Sequence, residues 1–232
     1  MFTLGILAYE TFIGSTLLTD AYKRQLLAWE ESKDAAEWTL LYKGSRDGFT
    51  AAASTACVKQ GKIFLSGIFQ GLCTQSICDA FVYQGTTITV IRSKERRTFG
   101  AYTTKGFTSS GGYVNDNASW LFSLDQSLKL PAIAGNSHHV YHHPSYMPTF
   151  GSNHDLRTWH TSFFDTPNES LTSHLSYIQT FRTIANIEIS CNVGSSFTNS
   201  SGNAGILAGA TDFLVTDIEV FGKVPRKTLR II

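Results

Sequence analysis

The sequence predicts a β-rich α+β fold, with two antiparallel sheets packed as a sandwich and flanking helices. Aromatic residues make up 12% of the 232-residue chain, with 16 Phe and 9 Tyr against 2 Met, a bias toward side chains that suit a pleated, half-buried surface. Short β-forming runs recur between clusters of Gly, Ser and Asn. Neither a βαβ alternation nor a repeat of fixed period runs along the chain, which disfavours parallel sheets and solenoids.

In order along the chain, Leu18, Tyr22, Leu26 and Trp29 recur at steps of four, four and three and line one face of a helix, with Thr19 as its N-cap and an end near Ser32. Trp38-Thr-Leu-Leu-Tyr-Lys43 reads as a strand, closed by the turn residues Gly44-Ser-Arg-Asp-Gly48. Thr50 to Ala56 is helix-compatible, and the apolar stretch that follows through Cys73 and Cys78 has no clean period. Thr86 to Arg92, Thr98 to Thr103 and Ser119 to Leu124 read as meander strands. Ile187, Ile189 and Cys191 alternate with polar residues, and Asp212 to Phe221 is a long β-rich run ended by Gly222 and Pro225. His138 to Pro148 and Gly194 to Gly209 are loops by composition, expected to be exposed and mobile.

With 42% hydrophobic and 16% charged residues the chain has the apolar mass for one large core. A net charge of +1 supplies no basic field for a nucleic-acid backbone, so no nucleic-acid partner is expected. Met1 to Leu18 is apolar but carries Glu10 and lacks a positive n-region, so neither a signal peptide nor membrane insertion is expected. The 4 Cys form no CxxC pair and suit reduced thiols in a cytoplasmic protein. Sequons at Asn117, Asn168 and Asn199 would matter only in a secreted chain.

Six blocks then occur in a telling order: Ser15-Thr-Leu-Leu-Thr with Trp38 to Phe49, Thr86 to Ser93, Phe99-Gly-Ala-Tyr102, Leu121-Phe-Ser-Leu124, Pro148-Thr-Phe-Gly-Ser-Asn-His-Asp-Leu156 and Phe213 to Phe221. Together they resemble a TLDc domain, the module of the oxidation-resistance family; interferon-inducible GTPase-like proteins carry a similar region. The resemblance implies a domain over 15–223, an N-terminal extension over 1–14, an apolar Cys-containing insertion over about 57–80 and a C-terminal tail over 224–232. It implies a cytoplasmic interaction module without established catalytic chemistry or cofactor. The function it implies is oxidative-stress protection, regulation of the vacuolar proton-pumping ATPase by binding its peripheral sector, or both. No GxxxxGK[ST] loop accompanies it, so nucleotide hydrolysis is not expected. Gly48, Phe49, Gly100, Gly151, His154, Asp155 and Glu219 fall on family motif positions and read as structural. His154 and Asp155 are expected to hold a loop by hydrogen bonding, and Glu219 either to face solvent or to meet a cation such as Arg46 or Arg157.

The alternative chemistry is metal binding by the His138, His139, His142 and His143 cluster, whose i, i+4 spacings and imidazoles suit zinc or copper. Against a purposeful site, Pro144 disfavours helix at the preceding residue and no HExxH motif is present, which leaves an exposed His-rich loop as the competing reading. Cys57, Cys73 and Cys78 are redox candidates, although apolar neighbours favour buried, inert thiols. No GxSxG motif supports a hydrolase. For partner contact, Tyr141, Tyr146, Arg157 and Trp159 qualify by residue type.

Overall fold

A computed structural model describes residues 11–30, 36–47, 85–108, 110–142, 148–158 and 188–225. The elements are helix α1 (Asp20–Glu30), strand β1 (Ala36–Lys43) and the one-turn helix α2 (Gly44–Asp47). Strands β2 (Thr87–Ser93), β3 (Thr98–Thr103), β4 (Gly112–Val114), β5 (Trp120–Ser123) and β6 (Leu128–Pro131) follow. Then come β7 (Val140–His142), β8 (Thr149–Phe150), β9 (Leu156–Thr158), β10 (Glu188–Cys191) and β11 (Asp212–Pro225). The β-rich α+β class stands, with all named strand pairs antiparallel.

The strands form one 11-stranded sheet, in the order β4-β7-β8-β9-β10-β11-β2-β3-β5-β6 with β1 also on β11, rather than two separate sheets. The 14-residue β11 makes this continuity. Its first residues, Asp212 to Leu214, pair with β10, and Val215 to Gly222 pair with β2 across a register shift. Gly222 does not end the strand, because Gly222 to Pro225 are paired by β1.

Both faces of the central strands are covered, which explains why β2 and β3 are buried almost throughout. Ile91, Phe99, Ala101 and Leu121 form a core with Val140, Phe150, Leu156 and Cys191 of β7–β10. Alternate positions Ile88, Val90, Tyr102 and Phe122 face the other way and meet Phe12, Leu17, Leu18 and Leu26. Rings run through this second core in sequence. Phe221 meets Phe12 edge-on at 5.1 Å, Phe12 stacks on Trp38 at 5.6 Å, and Tyr102 stacks on Trp120 at 4.9 Å. Thr11 and Phe12, in the expected N-terminal extension, are therefore core residues.

The helix predicted from Leu18 to Trp29 is α1, capped as expected by Thr19, whose Oγ1 accepts from the Tyr22 N–H at 3.3 Å. Lys223 Nζ meets Glu30 at 2.7 Å and Lys129 Nζ donates to the Trp29 carbonyl at 2.6 Å, fixing its far end. Where turn residues alone were expected after β1, Gly44 to Asp47 wind one helical turn. Asp47 there accepts from the Lys43 N–H at 2.8 Å, and the Ser45 N–H reaches Asp217 at 2.9 Å.

The Gly194 to Gly209 stretch is irregular, as expected, but not an exposed loop throughout. Phe197 and Leu207 within it are fully buried in the first core. The Thr198 N–H donates to Pro131 O at 2.9 Å, so this stretch also closes the free edge of β6.

Candidate functional site

The family motif positions divide into two buried carboxylate centres. Glu219 lies on β11 opposite Lys43 of β1, and its side chain is fully buried. Its Oε1 accepts from the Thr16 N–H at 2.8 Å and from Lys43 Nζ at 3.2 Å, while Oε2 accepts from Ser15 Oγ at 2.6 Å. A buried carboxylate is tolerated when paired and fully bonded. The cation is Lys43, not Arg46 or Arg157, because strand register sets Lys43 beside Glu219, whereas Arg46 pairs with its neighbour Asp47 at 2.7 Å. Two positions earlier, Asp217 accepts from Ser45 Oγ at 2.7 Å. Arg92, opposite Asp217, donates to the Leu17 carbonyl at 2.8 Å. Glu219 and Arg92 thus clamp the N-terminal strap, residues 11–19, onto the sheet, while Asp217 holds α2.

The second centre is Asp155, before β9. Its Oδ1 accepts from the Gly194 and Ser195 N–H groups at 2.7 and 2.8 Å, and its Oδ2 accepts from the Ser196 N–H at 2.9 Å. Burial raises the carboxyl above its usual range, and these N–H bonds draw it back. Gly151 sits against this carboxylate at φ +86°, and a Cβ there would run into the Asp155 side chain. At Gly100 a Cβ would meet the Thr89 backbone and lie 2.8 Å from Phe122 Cζ. Both motif glycines are thus dictated by space.

His154 adopts φ +55°, a left-handed conformation costly for a residue with a side chain. Its Nδ1 has no hydrogen-bond partner among the described residues, whereas both Asp155 carboxylate oxygens bond the loop. Burial and the nearby Arg157 charge lower its pKa below 6.5.

The His-rich stretch is not a uniformly exposed loop, because β7 turns part of it inward. His138 is exposed, but His139 and His142 are buried. His139 Nδ1 accepts from the Asp116 N–H at 3.1 Å, and His142 Nδ1 bonds Thr108 Oγ1 at 2.9 Å. Burial lowers the pKa of His142 below 6.5. Among the described residues no three His, Cys, Asp or Glu side chains gather as a metal site would require. Cys191 is buried with its thiol pushed by burial up to about 12, far from a reactive thiolate. Gly48, Phe49, His143, Tyr146, Trp159 and the candidate thiols Cys57, Cys73 and Cys78 lie outside the described residues. So do the helix expected over Thr50 to Ala56 and the insertion.

Lys43, Ser15 and Thr16 were not anticipated as partners of Glu219. The signal was available in the family blocks, since Ser15-Thr16 opens the first and Lys43 closes the β1 run. The geometry defines a β-rich domain whose buried carboxyl-bearing motif side chains tie loops and an N-terminal strap to the sheet. The family description that matches is the TLDc domain, over residues 12–224, and the chain belongs to that family. No curated protein matches it. Among the described residues no helix is long and apolar enough to cross a membrane.

Proposed function

We propose that this TLDc domain works by binding a protein partner rather than by catalysis. Membership of the TLDc family ties it to protection against oxidative stress. The finer reading is that it regulates the vacuolar proton-pumping ATPase by engaging the pump's peripheral sector in the cytoplasm. The observation that supports a non-catalytic role is the full engagement of the motif carboxylates. Glu219 and Asp155 are both 0% exposed, and each oxygen of both accepts at least one hydrogen bond from the domain itself. A general base or nucleophile must instead offer an oxygen to substrate. The role of such a module is to favour one state of its partner, by the difference in its affinity for the partner's states.

The test is titration of the purified domain into the pump's purified peripheral sector, with binding and ATP hydrolysis read in the same sample. Saturable binding at micromolar concentration or below, with a matching change in hydrolysis, supports the reading. No binding removes it.

A further inference from the structure

Strand β4 lies at the edge of the sheet and pairs, among the named strands, with β7 alone. Gly112 and Tyr113 in it are exposed and Val114 is half-buried, and the chain enters it through Gly111 and Gly112, both at positive φ. A strand with so little buried surface is the kind that opens before the rest of a domain. Two imidazoles hold it at its ends. Before the strand Thr108 Oγ1 bonds His142 Nδ1 at 2.9 Å, and after it the Asp116 N–H donates to His139 Nδ1 at 3.1 Å.

Both rings are neutral in this arrangement, for different reasons. His139 is fully buried and accepts at Nδ1, so its ring hydrogen sits on Nε2, which donates to Ile133 O at 3.4 Å. A second proton on His139 must go to Nδ1, where it would confront the Asp116 N–H. The His142 ring can turn its Nδ1–H toward the Thr108 hydroxyl, but its Nε2 is buried with no hydrogen-bond partner, so a charged ring would bury an unpaired donor. Its surroundings are apolar: the ring lies 5.9 Å from Phe107, which meets Phe150 edge-on at 6.0 Å. Burial is what lowers its pKa below 6.5.

The ionisable groups packed nearby are engaged elsewhere or carry the wrong sign. The Asp116 carboxylate accepts from the Thr103 hydroxyl and from the Thr104 N–H and hydroxyl, and Asp155 from the Gly194 to Ser196 N–H groups. Arg157 is in register with Thr149 and Thr149 with Tyr141, which sets Arg157 on the Tyr141 face of the sheet, opposite His142. Lys105 is exposed, and neither cation can accept a hydrogen bond from an imidazolium. The His154 ring lies 6.2 Å from that of Tyr141, and the exposed His138 packs on Tyr113.

We propose that β4 is a proton-released edge strand: when His139 and His142 take up protons, β4 lifts from β7 while β2 and β3 stay paired. In the opened state both rings are solvated and titrate near the ordinary value of about 6.5. Opening therefore takes up protons and is favoured as pH falls below that value, by up to ~10-fold per pH unit for each proton. Release leaves β7 as the edge of the sheet, with its outer ladder groups unpaired. The inference does not depend on which partner the domain binds.

The test is hydrogen exchange of the full chain at about pH 7.5 and about pH 5.5, corrected for intrinsic rates and read peptide by peptide. Protection over β4 is expected to fall at least ~10-fold between the two, and over β2 and β3 less than ~3-fold. In His139→Asn/His142→Asn, whose amides lie near the Nδ1 positions and take no proton, the fall over β4 is expected to vanish, whereas His138→Asn should behave as wild type. Protection over β4 that ignores pH, falls equally over β2 and β3, or falls in the double variant as in wild type overturns the proposal. Should the double variant not fold, the imidazole nitrogen NMR shifts of the wild type decide: His139 and His142 are expected to gain protons over the range in which β4 opens, and rings that stay neutral there overturn it.

Discussion

Replacing Glu219 with Ala removes the acceptor for Ser15 Oγ, the Thr16 N–H and Lys43 Nζ in one step. Lys43 would keep Asp217 at 3.7 Å, but its shorter contact, 3.2 Å to Glu219, would be gone. Removing one partner of a buried pair costs about 3–5 kcal/mol, because the other is left inside without compensation. Glu219→Gln keeps Oε1 as an acceptor but gives Ser15 an amide donor in place of Oε2, so about 1.5–3 kcal/mol, the worth of a hydrogen bond to a charged group, is expected. Urea unfolding at pH 7 followed by tryptophan fluorescence is suited to the measurement, since Trp29, Trp38 and Trp120 all pack in or against the core that the strap covers. A cycle with Ser15→Ala should show coupling of at least ~0.5 kcal/mol, as expected for side chains in contact. A Glu219→Ala domain as stable as the wild type would refute the clamp.

Other outcomes follow from the same structure. Asp155→Asn turns one acceptor oxygen into a donor against the Gly194 to Ser196 N–H groups and should cost about 1–3 kcal/mol in urea unfolding. Gly151→Ala, strained at φ +86° and pressed into Asp155, should destabilise as well, and an unchanged midpoint for either would argue against the Asp155 centre. Cys191, with its thiol at about 12, should resist iodoacetamide at pH 8 in a Cys57→Ser/Cys73→Ser/Cys78→Ser background and label only on unfolding; rapid labelling of the folded domain would contradict its burial. His142 has a folded pKa below the ordinary 6.5, so its contribution to stability is complete above 6.5 and lost as pH falls from there through the folded value. The slope approaches at most ~1.4 kcal/mol per pH unit over that window, and His142→Asn should flatten it. Asp155, raised by burial, works in the opposite sense, its charged form losing stability as pH rises through its folded value. A pH–stability profile identical in wild type and His142→Asn would count against this assignment.

The sequence made α1 legible because a 3.6-residue apolar period coincides with a cap at Thr19. It also exposed β2, β3 and β5, whose β formers sit between turn residues. Strands of two to four residues, such as β7, β8 and β9, are too short to show a period, so the inward turn of His139 and His142 was hidden inside an apparent loop. Gly194 to Gly209 misled for a related reason: composition reports polarity, whereas two apolar residues, Phe197 and Leu207, anchor the stretch in the core. Glu219 stood out as a carboxylate in an apolar strand, but its partner depended on the β1–β11 register, which no local pattern encodes.

The central claim is that the motif carboxylates hold the fold while binding lies elsewhere on the surface. The most direct measurement is the affinity of wild type, Glu219→Gln and Asp155→Asn for the pump's purified peripheral sector, at a temperature where melting shows all three folded. The account predicts saturable wild-type binding and the same Kd for both variants. A folded variant that fails to bind would contradict it, placing the carboxylates in the working surface, and absence of wild-type binding would remove the partner altogether.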